Sequence, residues 1–492
     1  MMKPEHIPDV LLAVAVLLVL AFLESQTVAD PDLWGHVRFG QDILTTHAIP
    51  RQDPYSFTSD RTWINHEWLA ELLMASAYGI AGGVGLIALK FLLVISSFAT
   101  LWRALRRVGV FRPLAILMLL LANLGTYGLM LTVRPQLFSM FLFTVMLALL
   151  NAAAGGRRRL LLWMPVLFAL WANMHGGWIV GLGVLFLWSA CALLARTISW
   201  GWAIGGALLG LFGSLVTPYG LGLWQFLWET VGLGRADIAE WQPLIHAPFL
   251  LAVWGAAAAL VVAAWRRGGW SALPLLMPAV VVGALALRVV RLEGFFTLAS
   301  MIQAAPYLAG AGPRRLPLSR RPSRGDIAVV GAMCLAGFVA VSVAVGSRLT
   351  CVAITTSEVK DSWAPESEAV SFLRDNQLQG RLLSWFDYGE MAIWHLSPRL
   401  RVSYDGRRET VYSETVQNAH RRFYSNDRDA SYARILGADY IWLRSTLRVI
   451  GPLERDGWVP IFRGARSVVL AKQAGQYTQP KPWTGPRCFP GP

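Results

Sequence analysis

The sequence predicts a polytopic α-helical membrane protein of about eleven transmembrane helices, followed by a C-terminal soluble α/β domain. Three observations carry this reading. The chain of 492 residues is 55% hydrophobic and 15% charged, where a soluble domain carries roughly 25% charge. Its apolar residues come in blocks of about 15–20, long enough to cross a hydrocarbon core about 30 Å thick, where only helices or closed barrels satisfy the backbone. The net charge of +14 is concentrated in short loops: Arg103, Arg106, Arg107 and Arg112; Arg157 to Arg159; Arg196; Arg266 and Arg267; Arg314, Arg315, Arg320, Arg321 and Arg324. That is the positive-inside pattern of cytoplasmic loops. It accounts for the basic balance without a nucleic-acid partner.

The first element is the run Val10–Leu23 behind Lys3. It reads as an uncleaved span, because Glu24-Ser25-Gln26 offers no small-residue cleavage site. The expected spans are 9–23, 84–102, 113–133, 135–153, 160–174, 177–195, 201–217, 248–265, 271–287, 294–310 and 326–346. With the basic loops inside, the N-terminus is cytoplasmic and the C-terminal domain extracytoplasmic, in a bacterial inner membrane. His175-Gly176-Gly177 is a turn or a kink in this series. Lys90, inside the second span, reads as a snorkelling cation.

The expected division is a membrane domain, 1–346, carrying an outer loop at 24–83, and a soluble domain, 347–492. The outer loop is acidic and aromatic, with helical character at Leu33–Leu44 and at Trp68–Ile80. A second outer loop runs over 218–248. The soluble part reads as helices at Glu366–Asn376, Val411–Tyr424 and Arg428–Leu436. Strands are expected at Arg381–Trp385, Leu400–Tyr404, Asp439–Leu443, Val459–Phe462 and Ser467–Ala471, in a mostly parallel sheet. A Pro/Gly-rich extended tail follows from Gln473. Cys191 and Cys334 lie in apolar spans as packing residues. Cys351 and Cys488 flank the soluble part, and a disulfide between them would tie the tail to the membrane exit.

The stretch most able to carry chemistry is Asp30-Pro31-Asp32-Leu33-Trp34-Gly35-His36, a few residues beyond the first span. A carboxylate there can take a proton from an acceptor hydroxyl or ligate a divalent cation. Such a cation, held by Asp30 and Asp32, is the one cofactor the acids suggest. Trp34, His36, Asp53, His66 and Glu67 in the same loop could form a sugar site, with a ring against the apolar sugar face and acids on the hydroxyls. Arg134, Arg288 and Arg291 sit at span ends against the positive-inside trend, and a guanidinium there can hold a phosphate. The alternative is an internal ion pair, for example with Glu293, or snorkelling. His175 is either a helix-end packing residue or a substrate contact. Asp405, in Asp405-Gly406-Arg407-Arg408 after a predicted strand, is either a turn residue or a contact to acceptor or sugar.

These motifs also resemble a family. D-P-D-x-W-x-H after the first span resembles the first outer loop of bacterial GT-C-fold membrane glycosyltransferases, the branch related to protein-mannosyltransferases and lipid A aminoarabinose transferases. So do Ile49–Thr58, His66–Glu71, Arg134-Pro135-Gln136, Trp171–Gly177 and Glu240-Trp241-Gln242-Pro243. The resemblance covers roughly 1–345 and, more weakly, the tail. It implies a GT-C-like fold, a polyprenyl-phosphate-linked sugar donor, a glycan, lipid or protein acceptor, and inverting transfer at the outer leaflet. An acid of the first outer loop would be the base. Better-known members carry an adjacent Asp-Glu pair where this chain has D-x-D, so Asp30 and Asp32 are both candidates. The rival readings are an oligosaccharide polymerase or ligase of another membrane fold, and a non-catalytic transporter or scaffold.

Overall fold

The computed structural model describes residues 7–230, 232, 238–310, 328, 331–332, 335–339, 342–343, 346–354, 363–426, 428 and 430–492. Every expected span up to 294–310 coincides with a helix. These are α1 (Ile7–Leu23), α3 (Trp68–Arg107), α4 (Arg112–Met130), α5 (Gln136–Ala154), α6 (Met164–Ala172), α7 (Trp178–Leu194), α8 (Trp200–Leu215), α10 (Pro248–Gly268), α11 (Leu273–Ala286) and α12 (Glu293–Leu308). Two further helices, α2 (Leu33–Thr46) and α9 (Leu221–Thr230), lie in the expected outer loops. Among the described residues, four helical stretches are long and apolar enough to cross a membrane: Trp68–Arg107, Arg112–Met130, Gln136–Ala154 and Pro248–Ala286. The chain is a helical membrane protein. The expected span 326–346 falls mostly outside the described residues, as do Cys334 and the basic loop from Arg314 to Arg324.

Helix α3 joins two helices across a kink, where Ala81 and Gly82 leave helical geometry and Gly82 takes φ 56°. That conformation suits a glycine. The kink separates the amphipathic segment expected at 68–80 from the apolar span expected at 84–102. His175-Gly176-Gly177 lies in the turn between α6 and α7.

The chain divides into two compact units. The membrane unit comprises Met1–Thr27 and Ile87–Thr350; the sheet unit comprises Val28–Leu86 and Cys351–Pro492. The first outer loop, expected with the membrane domain, is therefore part of the same compact body as the C-terminal segment. Val28 and Ala353 form a parallel bridge, and the Ala29 amide donates to the Ala353 carbonyl at 2.8 Å. Cys351 and Cys488 are joined in a disulfide with Cα atoms 5.3 Å apart.

Within the sheet unit, helices α13 (Ser367–Asp375), α14 (Gly389–Leu396), α15 (Glu414–Ser425), α16 (Ser431–Ile435) and α17 (Ile450–Arg455) surround five strands. These are β1 (Gly380–Ser384), β2 (Leu400–Val402), β3 (Tyr440–Arg444), β4 (Val459–Arg463) and β5 (Ser467–Ala471), in the order β2-β1-β3-β5-β4. Strand β1 is parallel to β2 and β3, whereas β5 is antiparallel to both β3 and β4. The sheet is thus mixed, not mostly parallel. Only residues 464–466 separate β4 from β5, far fewer than the crossover that a parallel pair requires.

In the membrane unit, Lys90 is fully buried and does not snorkel. Its ammonium donates to the carbonyls of Glu24 (3.0 Å), Gln26 (2.7 Å) and Leu131 (3.3 Å), and to Thr27 Oγ1 (3.3 Å). It ties the end of α1 to the end of α4.

Candidate functional site

The sheet unit gathers the acids of the first outer loop around the start of α2. A helix leaves its first N–H groups without intrahelical partners, and here several find one. The Leu33 amide donates to the Asp30 carbonyl and the His36 amide to the Asp32 carbonyl, both at 3.0 Å. The Gly35 amide donates to Glu390 Oε2 at 3.1 Å, across 355 positions of chain. Asp30 Oδ1 accepts the Asp32 amide at 3.0 Å, fixing the turn. The Asp32 carboxylate does not cap its own helix. It points instead to Gly406: a Cβ built there would stand 2.2 Å from Asp32 Oδ1 and 2.7 Å from Glu390 Oε1. Two carboxyl groups thus converge on one backbone point, and only glycine leaves them room. A Cβ on Gly35 would likewise meet Glu390 Oε2 at 2.1 Å.

Asp32 is half-buried and Glu390 is 3% exposed. Burial pushes the Glu390 carboxyl well above the usual carboxylate range; Asp32, Asp405 and Glu71 add to the rise and Arg407 opposes it. Burial also pushes Asp387 up to about 6, with Asp32 adding to the rise. Like charges brought together in a poorly solvated place cannot all ionise. Burial and these neighbours therefore favour the protonated form of Glu390. His36 is buried with Nδ1 3.3 Å from Glu71 Oε1 and 4.0 Å from Glu67 Oε2. Burial alone would lower its pKa, but Glu71, Glu67 and Asp32 outweigh it and the value is raised. Asn65 Nδ2 holds the other Glu71 oxygen at 2.5 Å. His66 Nε2 lies 3.7 Å from Glu67 Oε1.

Three expected substrate contacts have buried side chains with partners inside the protein. Trp34 is fully buried: its Nε1 donates to the Pro490 carbonyl at 2.8 Å and its ring meets Trp363 and Phe489. It has no face open for a sugar. Asp53 and Asp405 have fully buried side chains and share one guanidinium. Arg407 Nη1 and Nη2 donate to Asp53 at 2.6 and 3.0 Å, and its Nε and Nη2 donate to Asp405 at 2.9 and 2.7 Å. Tyr412 donates to Asp405 at 2.6 Å. Burial would raise the Asp405 pKa, but Arg407 and these hydrogen bonds hold it below the ordinary value. Trp63, Phe39 and Tyr55 enclose the guanidinium, with ring centres 4.8, 5.1 and 5.3 Å from Cζ. Among the described residues, no three His, Cys, Asp or Glu side chains are arranged to hold a metal ion.

The membrane unit holds a second cluster, built from three stretches singled out in the sequence. Glu240 accepts from Arg134 Nη1 at 3.1 Å and pairs with Arg291 Nη1 at 3.5 Å. Arg291 Nη2 lies 3.4 Å from Gln136 Oε1 and 3.1 Å from His175 Nε2. His175 Nδ1 accepts from the Gly177 amide at 3.0 Å and lies 2.6 Å from Ser139 Oγ. Trp171 Nε1 donates to the same Ser139 oxygen at 2.6 Å. His175 is therefore more than a helix-end filler: it orients Arg291. The expected partner of Arg291, Glu293, is not the one found. Arg288 is exposed, and no hydrogen bond or ion pair of its side chain occurs among the described residues. It stands outside this cluster.

Glu390, Glu71, Arg407, Glu240 and Ser139 were not among the expected site residues. Glu71 and Glu240 lie in motifs already quoted. Nothing local marks Glu390, because its partners are brought to it only by the fold.

No protein-family model matches the chain, and no curated protein does. Among solved structures, cryo-EM structures of the arabinofuranosyltransferase AftD from Mycobacteria are similar. A mutant form matches with a TM-score of 0.52 at 18% identity, over 96% of this chain and 42% of that one. A second AftD structure matches with a TM-score of 0.49 at 18% identity, over 96% and 40%. The chain spans about two fifths of the length of that protein. The likeness to the first is one of fold alone.

Proposed function

We propose that the protein is a membrane glycosyltransferase that moves a sugar from a polyprenyl-phosphate donor to a hydroxyl acceptor, with inversion, and that Asp32 is the base. The observation that carries this reading is the setting of Asp32. Asp30 is committed to holding the turn through the Asp32 amide. The Gly35 amide donates to Glu390, and the half-buried Asp32 carboxylate does not cap its own helix. The fold likeness to an arabinofuranosyltransferase supports the same reading.

In the proposed step Asp32 takes the proton of the acceptor hydroxyl. The acceptor oxygen forms a bond to the anomeric carbon as the bond from that carbon to the phosphate oxygen breaks. The polyprenyl phosphate leaves with the electron pair. Within the membrane unit, Arg134 and Arg291 are the cationic groups suited to binding a phosphate. Glu240 and His175 keep the two guanidinium groups in place. The reading places residues 351–492 outside the cytoplasmic membrane of a bacterium, and a disulfide suits that oxidising side.

The test is transfer by the purified full chain in nanodiscs, using a panel of polyprenyl-phosphate sugars that includes the arabinofuranosyl form. Asp32→Asn is expected to lower transfer by about 10²–10⁴-fold, and Asp30→Asn by less. No turnover of any donor by the unaltered protein, or normal turnover by Asp32→Asn, would overturn the proposal.

A further inference from the structure

The sheet unit contains one carboxyl group that the proposed chemistry does not use and that stands against the one it does. Glu390 opens α14, and its side chain is buried among Gly35, Gly406 and Asp32. Its two oxygens have different surroundings. Oε2 accepts the Gly35 amide at 3.1 Å. Oε1 faces the point at Gly406 that Asp32 Oδ1 also approaches. Both glycines lack the Cβ that would push these oxygens apart. Such a cradle is not needed for a surface acid, nor for a helix cap, which Asp32 itself could provide.

We infer that Glu390 is a positioning residue for the base: the C-terminal segment inserts this buried carboxyl beside Asp32 and aims the Asp32 oxygen that receives the acceptor proton. This rests on the reading of Asp32 as base. With Oε2 committed to the Gly35 amide, the proton of a neutral Glu390 sits on Oε1, on the side of Asp32. A hydrogen bond given there fixes one Asp32 oxygen. The charged groups facing Glu390 are Asp32, Asp405, Glu71 and Arg407. Arg407 is already committed to Asp53 and Asp405, so a second negative charge at Glu390 has no cation of its own.

Two measurements on the full chain in nanodiscs test this. Infrared spectra between about pH 5 and pH 9 read the C=O stretch of protonated carboxyls. A band that persists at neutral pH is expected to vanish in Glu390→Gln, to shift in Asp32→Asn, and to stay in the control Glu366→Gln, whose carboxyl is also raised by burial. The absence of such a band, or its indifference to Asp32→Asn, overturns the inference whatever the enzyme's activity. The second measurement is transfer. Glu390→Ala is expected to lower kcat by about a hundredfold, the effect of misplacing a reacting group, with little change in donor KM. Glu390→Gln keeps the neutral shape, retains measurable transfer and loses the alkaline limb of the kcat/KM profile. An alkaline limb unchanged in Glu390→Gln, or loss of transfer through donor KM alone, also refutes it. If Asp32→Asn abolishes transfer while the infrared band ignores it, this inference fails and the proposed function stands. If no donor is turned over, the infrared result still decides the placement of Glu390.

Discussion

Arg407 donates to both carboxylate oxygens of Asp53, 354 positions earlier in the chain, at 2.6 and 3.0 Å. The same guanidinium binds Asp405, and all three side chains are nearly or wholly buried. The first outer loop and the C-terminal segment are thus joined by an ionic lock inside a ring of aromatic side chains. Removing one partner of a buried pair leaves an uncompensated charge and costs roughly 3–5 kcal/mol. Arg407→Ala is expected to make residues 28–86 and 351–492 protease-sensitive at temperatures where the unaltered protein resists. An unchanged proteolysis midpoint would show the lock to be dispensable. Asp405→Ala should act in the same way, through stability and not through acceptor use.

Gly406→Ala probes the carboxyl pair without removing a carboxyl. The new methyl would stand 2.2 Å from Asp32 Oδ1 and 2.7 Å from Glu390 Oε1, so both side chains must move. Transfer is expected to fall about a hundredfold in protein that still purifies as a folded species. Activity equal to that of the unaltered protein would mean that the placement of Asp32 does not matter.

Arg291→Ala removes a guanidinium held by Glu240, Gln136 and His175. Hydrogen bonds to charged groups contribute about 1.5–3 kcal/mol, so donor KM should rise roughly tenfold or more. Glu240→Gln releases both guanidinium groups from the anion that holds them and should also raise donor KM. Arg288→Ala, outside the cluster, should leave it unchanged. An equal effect from Arg288→Ala would contradict the assignment.

Acid stability follows from two histidines. Burial pushes His395 and His420 down to about 4. Each ring is neutral in the fold, with His420 Nδ1 3.0 Å from the Val416 carbonyl and His395 Nε2 2.9 Å from the Pro490 carbonyl. A base depressed on folding has no adverse effect above its unfolded value of about 6.5. As pH falls from there towards about 4, the unfolded chain takes up the proton and stability is lost. Thermal melts of the double variant His395→Gln, His420→Gln should show a flatter dependence on pH over that window. An equal slope would place the acid sensitivity elsewhere.

The disulfide closes a long loop, since Cys351 and Cys488 are 137 positions apart. In the chain-entropy picture such a link contributes on the order of 4–5 kcal/mol. Cys351→Ser or Cys488→Ser should lower the melting temperature of the sheet unit, and reductant should have the same effect on the unaltered protein. Alkaline phosphatase fused after residue 350 should be active if that segment is extracytoplasmic.

The helices were legible because each is a block of apolar residues whose length the bilayer sets, and the basic loops punctuate them. The strands were legible from β-branched and apolar runs such as Ser467–Ala471. Helix α14 was not. Of its eight residues all but Trp394 and His395 are buried, so it has no amphipathic period to read, and it opens on a glycine. With it went Glu390. In sequence Asp53 reads as a ligand contact and Asp405 as either a turn residue or a contact, because a buried carboxylate and an exposed one look alike until the partner cation is placed. Their partner, Arg407, lay in a motif already noted, but no local rule couples it to position 53. The E-W-Q-P, R-P-Q and W-A-N-M-H-G-G stretches were recognised separately. That Arg291 draws them together required three helices to be set in place.

Lys90 constrains how the chain enters the membrane. A lysine in the middle of a helix resists insertion by about 2.5–3.5 kcal/mol. The groups that satisfy this one are main-chain carbonyls at Glu24, Gln26 and Leu131 and the hydroxyl of Thr27. Those from the end of α1 are synthesised before Lys90, and the Leu131 carbonyl follows it. Helix α3 therefore settles in lipid at lower cost beside α1 and α4 than alone, and the cation is fully satisfied only when all three are in place.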